Sequence, residues 1–174
     1  MPTPRSGFIR SSRRAAAAVL GAAALLALGA CSSVSSLNPF SSSPKPTVVN
    51  GSVTASAQVN PSVTRRPSPL LVRVYELKSA NAFNSADFIS LYQKDQAELG
   101  AEMVAREEMT LQPGESRPLR RTLAPETRFI AVFAAYRDLE NARWRTVVPV
   151  NVGKKQEIVI QADELSVSAT VKQP

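Results

Sequence analysis

From Val48 onward, apolar and polar residues alternate along the chain. Val49, Gly51, Val53, Ala55, Ala57 and Val59 fall on one side, and Asn50, Ser52, Thr54, Ser56 and Gln58 on the other. Successive side chains of a strand point to opposite faces, so this pattern predicts a strand with one buried and one wet face. Residues 71–77 form a second, more apolar strand and residues 104–111 a third. Gln112-Pro113-Gly114-Glu115 supplies a tight turn, with Pro setting φ at the first central position and Gly accepting φ > 0 at the second. Residues 116–123 return as the hairpin partner. Pro118 cannot donate to a ladder, which marks this strand for a sheet edge. Residues 129–136 are almost continuously apolar, as expected of a strand covered on both faces. Residues 144–150 and 157–162 follow, and Leu165, Val167, Ala169 and Val171 close with renewed alternation.

One stretch breaks this rhythm. Between Ser79 and Gly100 the spacing is helical, and Phe88, Leu91, Tyr92 and Leu99 share a face. Asn84 fits as its N-cap with Asp87 reaching back from the third helical position, Phe83 and Phe88 fit as a hydrophobic staple, and Gly100 fits as its stop. About eight short strands, a helical insertion between strands 2 and 3, and no βαβ alternation predict an all-β chain folded as a β-sandwich.

The first 47 residues have a different character. Arg5, Arg10, Arg13 and Arg14 precede an apolar run over residues 15–27, which small residues close at Leu28-Gly29-Ala30-Cys31. The run is too short for a membrane span, which needs about 20 apolar residues, and its order is that of a signal peptide over residues 1–30. The closing residues resemble the bacterial lipobox, Leu-x-(Gly/Ala)-Cys. That resemblance implies cleavage before Cys31 and acylation of its side chain and new N-terminus. Ser32 follows; a residue other than Asp there implies sorting to the outer membrane. Residues 31–47 then read as a tether after the lipidated Cys31. Seven serines and three prolines between Ser32 and Thr47 leave little apolar surface to offset ordering entropy. Such a coil reaches about 20–25 Å. The folded domain is expected over residues 48–174.

Composition narrows the chemistry. The formal charge is +7, but four of the 21 basic residues precede Cys31. Without them seventeen basic residues face fourteen acidic ones, and no clustered basic face suggests nucleic acid. The absence of histidine excludes His-based triads, His general bases and His-ligated zinc. One cysteine permits neither an internal disulfide nor a Cys-clustered metal site. Glu107 and Glu108 are adjacent and so face opposite ways on a strand. Asp138 and Glu140 can share a face, but nothing in the sequence sets them in a cleft. No cofactor, metal site or catalytic residue is expected. Trp144 is expected in the core, with Arg143 and Arg145 toward solvent.

Several short motifs occur in a consistent order: residues 66–77 (Arg-Pro-Ser-Pro-Leu-Leu-Val-Arg-Val-Tyr-Glu-Leu), Ala86-Asp87-Phe88, Leu91-Tyr92, Leu99-Gly100-Ala101-Glu102, residues 105–108, residues 111–115, residues 134–138 and residues 142–145. In this order, behind a lipobox, they resemble the outer-membrane lipoproteins of type VI secretion systems, the TssJ/VasD family. The likeness extends over residues 48–171. It implies a transthyretin-like β-sandwich with added helices and no enzymatic activity. It also implies a lipid-anchored place at the outer membrane facing the periplasm, where such proteins hold the secretion machine's membrane complex by binding the periplasmic C-terminal domain of TssM. In that family the loop between the first two strands is implicated in the contact. Here the loop comprises Asn60, Pro61, Ser62, Val63, Thr64, Arg65, Arg66, Pro67, Ser68 and Pro69. Its prolines lower the ordering cost of binding, and its two arginines offer charge-assisted hydrogen bonds. Two alternatives stay open on the residues alone: a periplasmic lipoprotein domain for a glycan or small ligand, and an enzyme on a sandwich scaffold.

Overall fold

The computed structural model describes residues 44–172; the leader, Cys31 and the tether up to Ser43 lie outside them. In chain order the elements are β1 (Thr47–Ala55), β2 (Leu70–Leu77), α1 (Asn81–Ser85), α2 (Phe88–Leu99), a 3-10 turn (Gly100–Glu102), β3 (Met103–Leu111), β4 (Ser116–Leu123), β5 (Phe129–Ala134), β6 (Arg145–Pro149), β7 (Lys155–Ala162) and β8 (Val167–Lys172). Two four-stranded sheets, ordered β4-β1-β7-β8 and β3-β2-β5-β6, stack as a sandwich. The pair β1–β7 is parallel and the other ladders are antiparallel.

The core between the sheets comes from the alternating positions. Val49 and Val53 of β1, Leu70, Val72 and Val74 of β2, Ile130 and Val132 of β5, and Ile158 and Ile160 of β7 are all fully buried. Each such side chain contributes about 1.5–3 kcal/mol of transfer free energy. A second cluster covers the opposite face of β2 and β5, where Tyr75, Leu77, Ala131 and Phe133 pack against Phe83, Leu91 and Leu99 of the helices. The near-continuous apolar run of β5 follows from this arrangement, because the sandwich covers one face and the helical layer the other. At Gly51 (φ 151°), β1 approaches β7 so closely that a Cβ would lie 1.9 Å from the Ile158 carbonyl oxygen, so only glycine fits.

β4 lies at a sheet edge, and Pro118 sits there opposite Ser52. Arg121 ties the β4 edge across to Glu76 and Glu107, and Arg117 Nη2 donates to the Thr110 carbonyl at 3.1 Å. These links blunt two edges that would otherwise invite pairing. β1 ends at Ala55 rather than running on through Val59, because its neighbours stop there: β4 begins at Ser116, opposite Thr54, and β7 ends at Ala162. Val59 is nevertheless buried in the loop that follows.

The insertion between β2 and β3 is two helices rather than one. Asn84 is not an N-cap; it is exposed inside α1. Ala86 is extended (ψ 145°) and separates the helices, and Asp87 caps α2 by accepting from the Ser90 N–H at 2.9 Å. Asp is as good a cap as Asn, and Asp87 stands next to the aromatic that docks the longer helix. The two phenylalanines do not staple one helix: Phe83 packs on Tyr75, while Phe88 packs on Phe133 and Trp144. Gly100 does stop α2, at φ 47°. Arg145 does not point freely to solvent. Its guanidinium lies over the Trp144 ring and donates to the Phe83 and Ala86 carbonyls at the end of α1.

A buried charge holds α2 to the sheet. Asp95 accepts from Tyr75 Oη at 2.9 Å and from Arg106 Nη1 at 2.9 and 2.7 Å, with Arg73 Nη1 at 3.4 Å. At Lys94 the helix departs from helical geometry (φ −139°), and Arg73 Nη1 donates to the Leu91 and Tyr92 carbonyls just before the break.

Candidate partner-binding end of the sandwich

The connections divide between two ends. The β1–β2 loop, the β3–β4 turn, the β5–β6 loop and the β7–β8 turn lie at one end. The chain enters β1 at the other, beside the β4–β5 and β6–β7 connections, where the Gly153 N–H donates to Thr47 Oγ1 at 2.8 Å. The candidate loop thus projects from the end opposite the chain's entry, one nine-residue strand away, or about 30 Å.

The ten loop residues take distinct roles. Asn60 is buried at φ 50° and binds three neighbours. Its N–H donates to the Glu164 carbonyl (3.0 Å), its Nδ2 to the Pro69 carbonyl (2.9 Å), and its Oδ1 accepts from the Arg137 N–H (2.9 Å). Asparagine is enriched at positive φ, and here it staples the loop to the β5–β6 and β7–β8 connections. Ser68 is also buried, with its N–H on the Val59 carbonyl. Pro61 and Ser62 are half-buried, whereas Val63, Thr64, Arg65, Arg66, Pro67 and Pro69 are exposed.

Ser62 to Arg66 form a miniature hairpin. The Ser62 N–H donates to the Arg66 carbonyl (2.9 Å), the Arg65 N–H to the Ser62 carbonyl (2.8 Å), and the Arg66 N–H to Ser62 Oγ (3.2 Å). A three-residue turn of this kind ends in a left-handed residue, usually glycine. Here it is Arg65, at φ 59°. A side chain costs about 1–2 kcal/mol in that conformation. Val63 at the tip is fully exposed. The end therefore presents an apolar knob and two arginines on an ordered hairpin, and little ordering entropy remains to be lost on binding.

The neighbouring loops are similarly fixed. Tyr136 Oη is directed at the Ser166 carbonyl (2.6 Å) and the Asp163 carbonyl (3.1 Å). Burial, with the nearby Asp163 charge, pushes its hydroxyl pKa well above the ordinary 10.0. Asp138 accepts from the Asn141 N–H and side chain, closing the β5–β6 turn. Little in the local sequence sets Val63 and Asn60 apart from the rest of the loop. An asparagine at a strand exit is a weak signal for positive φ, and the tip position of Val63 had no local signal.

A shallow hollow lies on the outer face of the β4-β1-β7-β8 sheet, lined by Asn50, Gly51, Ser52, Arg120 and Glu157. Among the described residues no group of three acidic or cysteine side chains is placed to hold a metal ion.

The profile of the T6SS-SciN family, described as type VI secretion lipoprotein (VasD, EvfM, TssJ), matches residues 47–165, beginning where β1 begins. The crystal structure of the type VI lipoprotein TssJ1 from Pseudomonas aeruginosa is similar at 36% identity and a TM-score of 0.72, over 74% of this chain and 98% of that one. Serratia marcescens Lip, a membrane-bound component of the type VI secretion system, is similar at 27% identity and a TM-score of 0.67, over 74% and 99%. A chain in the structure of the TssM C-terminal domain from EAEC shares the fold at 24% identity and a TM-score of 0.57, over 70% and 99%. A comparison with curated proteins finds no match. The matched parts of TssJ1 and Lip are nearly their whole chains. With a profile spanning most of the folded domain and a 36% identical relative of the same architecture, the chain belongs to the type VI secretion lipoprotein family.

Proposed function

We propose that this protein is the outer-membrane subunit of a type VI secretion membrane complex. Acyl chains on Cys31 hold it in the inner leaflet, and the sandwich captures the periplasmic C-terminal domain of TssM with loop 60–69. It works by recruitment rather than catalysis: anchoring confines the domain to the membrane surface and raises its effective concentration for the partner. The observation that carries the reading is the hairpin from Ser62 to Arg66, which holds an arginine in a strained conformation and a valine fully in solvent at the end away from the tether. Backbone strain of this kind persists only where the surrounding structure holds it, and it clusters at binding sites. The shallow hollow near Gly51 lacks the apolar or aromatic walls that a small-ligand site would use, so it lends the ligand-binding reading no support.

Calorimetry of the chain from Ser32 onward with the TssM periplasmic domain tests the reading. Val63→Asp is expected to weaken binding by roughly 30-fold or more, the scale of an interface hot spot, with an unchanged circular dichroism spectrum. Undiminished affinity would move the interface elsewhere on the sandwich, and no binding by the unaltered chain would end the assembly reading. For the anchor, replacing residues 1–31 by an ordinary cleavable secretory signal should shift the protein from membranes washed at high salt to the soluble periplasm.

A further inference from the structure

The two ends of the sandwich differ in charge. At the end where the chain enters, Lys45 precedes β1, Lys78 follows β2, Arg128 leads into β5, Lys154 and Lys155 open β7, and Lys172 closes β8. All six are exposed. Register and hydrogen bonds bring them together. Val48 lies opposite Lys155, and its N–H donates to the Lys154 carbonyl at 3.0 Å. Arg128 donates its N–H to the Leu77 carbonyl, next to Lys78, and accepts from the Val150 N–H, at the start of the turn that leads to Lys154. Lys172 lies opposite Glu157, two residues into β7 from Lys155. The exposed acids nearby are Glu98, Glu126 and Glu157. Among the described residues, no ion pair engages any of the six cations. Val152, 49% exposed, stands at the tip of the β6–β7 turn among them. At the opposite end the exposed arginines 65, 66, 117, 137 and 143 stand among as many acids, Glu115, Asp138, Glu140, Asp163 and Glu164, with Glu115 paired to Arg117.

We propose that the entry end is a second membrane contact, docking on the anionic phospholipid headgroups of the bilayer that holds Cys31; this rests on the reading of Cys31 as the lipid anchor. Only twelve residues separate Cys31 from Pro44, and even fully extended they span no more than about 45 Å. The chain reaches the domain at the cationic end, so the bilayer is the one large anionic surface that this end is always near. Five of the six cations are lysines, compact charges suited to diffuse attraction to phosphates rather than to bidentate pairing. Docking there orients the domain. It leaves loop 60–69 at the far end, facing away from the lipid and toward a partner in the periplasm.

Vesicle sedimentation of the chain from residue 31 with Cys31→Ser, which carries no acyl group, tests the contact. Binding to phosphatidylcholine vesicles containing phosphatidylglycerol is expected to exceed binding to phosphatidylcholine alone by about a hundredfold or more at low salt and to weaken as salt screens it. Replacing Lys154 and Lys155 by Gln should cost about fivefold per lysine, while Arg65→Gln with Arg66→Gln, the same change of charge at the other end, should cost nothing. Equal binding to the two vesicle types would overturn the proposal. So would equal losses from both pairs, because net charge rather than this surface would then be responsible. Either failure leaves the anchor reading standing, since that reading fails only if the protein exported without Cys31 stays on membranes washed at high salt, which screens the headgroup contact.

Discussion

Two insertions flank β2, and they use similar residues in opposite ways. The helical layer, α1 and α2, buries its aromatics on the sheet and locks a carboxylate, Asp95, between Tyr75, Arg73 and Arg106. Loop 60–69 buries only Asn60 and Ser68 and puts Val63 and two arginines into solvent. In the first, charge pairs inward and completes a layer, so its arginines contribute to stability. In the second, hydrogen bonds from Asn60, Ser62 and the backbone fix the loop while Val63 and the two arginines point into solvent, and Arg65 occupies a conformation that costs stability. One insertion is built to cover and the other to present. An arginine's function here depends on which of these surroundings it meets.

Substitutions should separate the two. The largest effect is expected from Asp95→Ala, which leaves the buried Tyr75 hydroxyl and the Arg106 guanidinium without their acceptor, while Arg73 keeps Glu108 and the Leu91 and Tyr92 carbonyls. Breaking one side of a buried pair costs about 3–5 kcal/mol, near the lower figure here because Arg106 is partly exposed. Thermal unfolding should report that loss, while partner binding well below the new midpoint should be unchanged. A fall in affinity at constant fold would break the division between covering and presenting.

Asn60→Ala comes next. It leaves the Arg137 N–H and the Pro69 carbonyl without their partner, at a cost of about 2 kcal/mol. Unlike Asp95→Ala it should also weaken partner binding, because the hairpin loses its fixed orientation; calorimetry alongside a melt reads both.

Acid should act on the helical layer first. Burial pushes the Asp95 carboxyl up, but hydrogen bonds from Arg106 and Tyr75 and the charges of Arg106 and Arg73 outweigh it and hold its pKa below 3.8. The Ser90 N–H likewise lowers Asp87 at the α2 cap. A carboxyl depressed in the folded state stabilises above its unfolded pKa, and that stability is lost as pH falls from about 4 through the folded value. Loop 60–69 contains no carboxylate, so hydrogen exchange near pH 3 should open α2 before the Ser62–Arg66 hairpin. Alkali should not discriminate in this way. Tyr75 beneath α2 and Tyr136 at the loop end are both raised above 10.0, chiefly by burial, so stability present below pH 10 is lost above it at both places.

The smallest effect is expected for Arg65→Gly. Relief of the left-handed strain, less the entropy of a more flexible unfolded chain, should raise stability by about 0.5–1 kcal/mol. The same change should weaken partner binding, which would identify the strain as the cost of placing that side chain.

Much of this was legible along the chain because it depends on neighbours in sequence. Alternation from Val49 onward located the strands, Pro118 marked the edge, and Gln112 to Glu115 formed the expected turn, whose Glu115 N–H donates to the Gln112 carbonyl at 2.9 Å. The doubly covered β5 and the stop at Gly100 followed from composition and capping rules. What failed depended on contacts distant in sequence. Asn84 and Asp87 are equivalent caps locally, and the packing of Phe88 on Phe133 and Trp144 selected Asp87. Arg145 looked like a solvent residue until α1 brought its carbonyls within reach, 59 and 62 positions away. Within loop 60–69 the composition named the segment, but burial of Asn60 against residues 137 and 164, and exposure of Val63, arose only once the sheet ends were juxtaposed. The sequence by itself determined which segments become strands, where they turn, and that the chain carries a lipobox-like cysteine. Tertiary structure alone decided which polar groups are fixed and which are presented, because that depends on pairings that form only when strands far apart in the chain share an end of the sandwich.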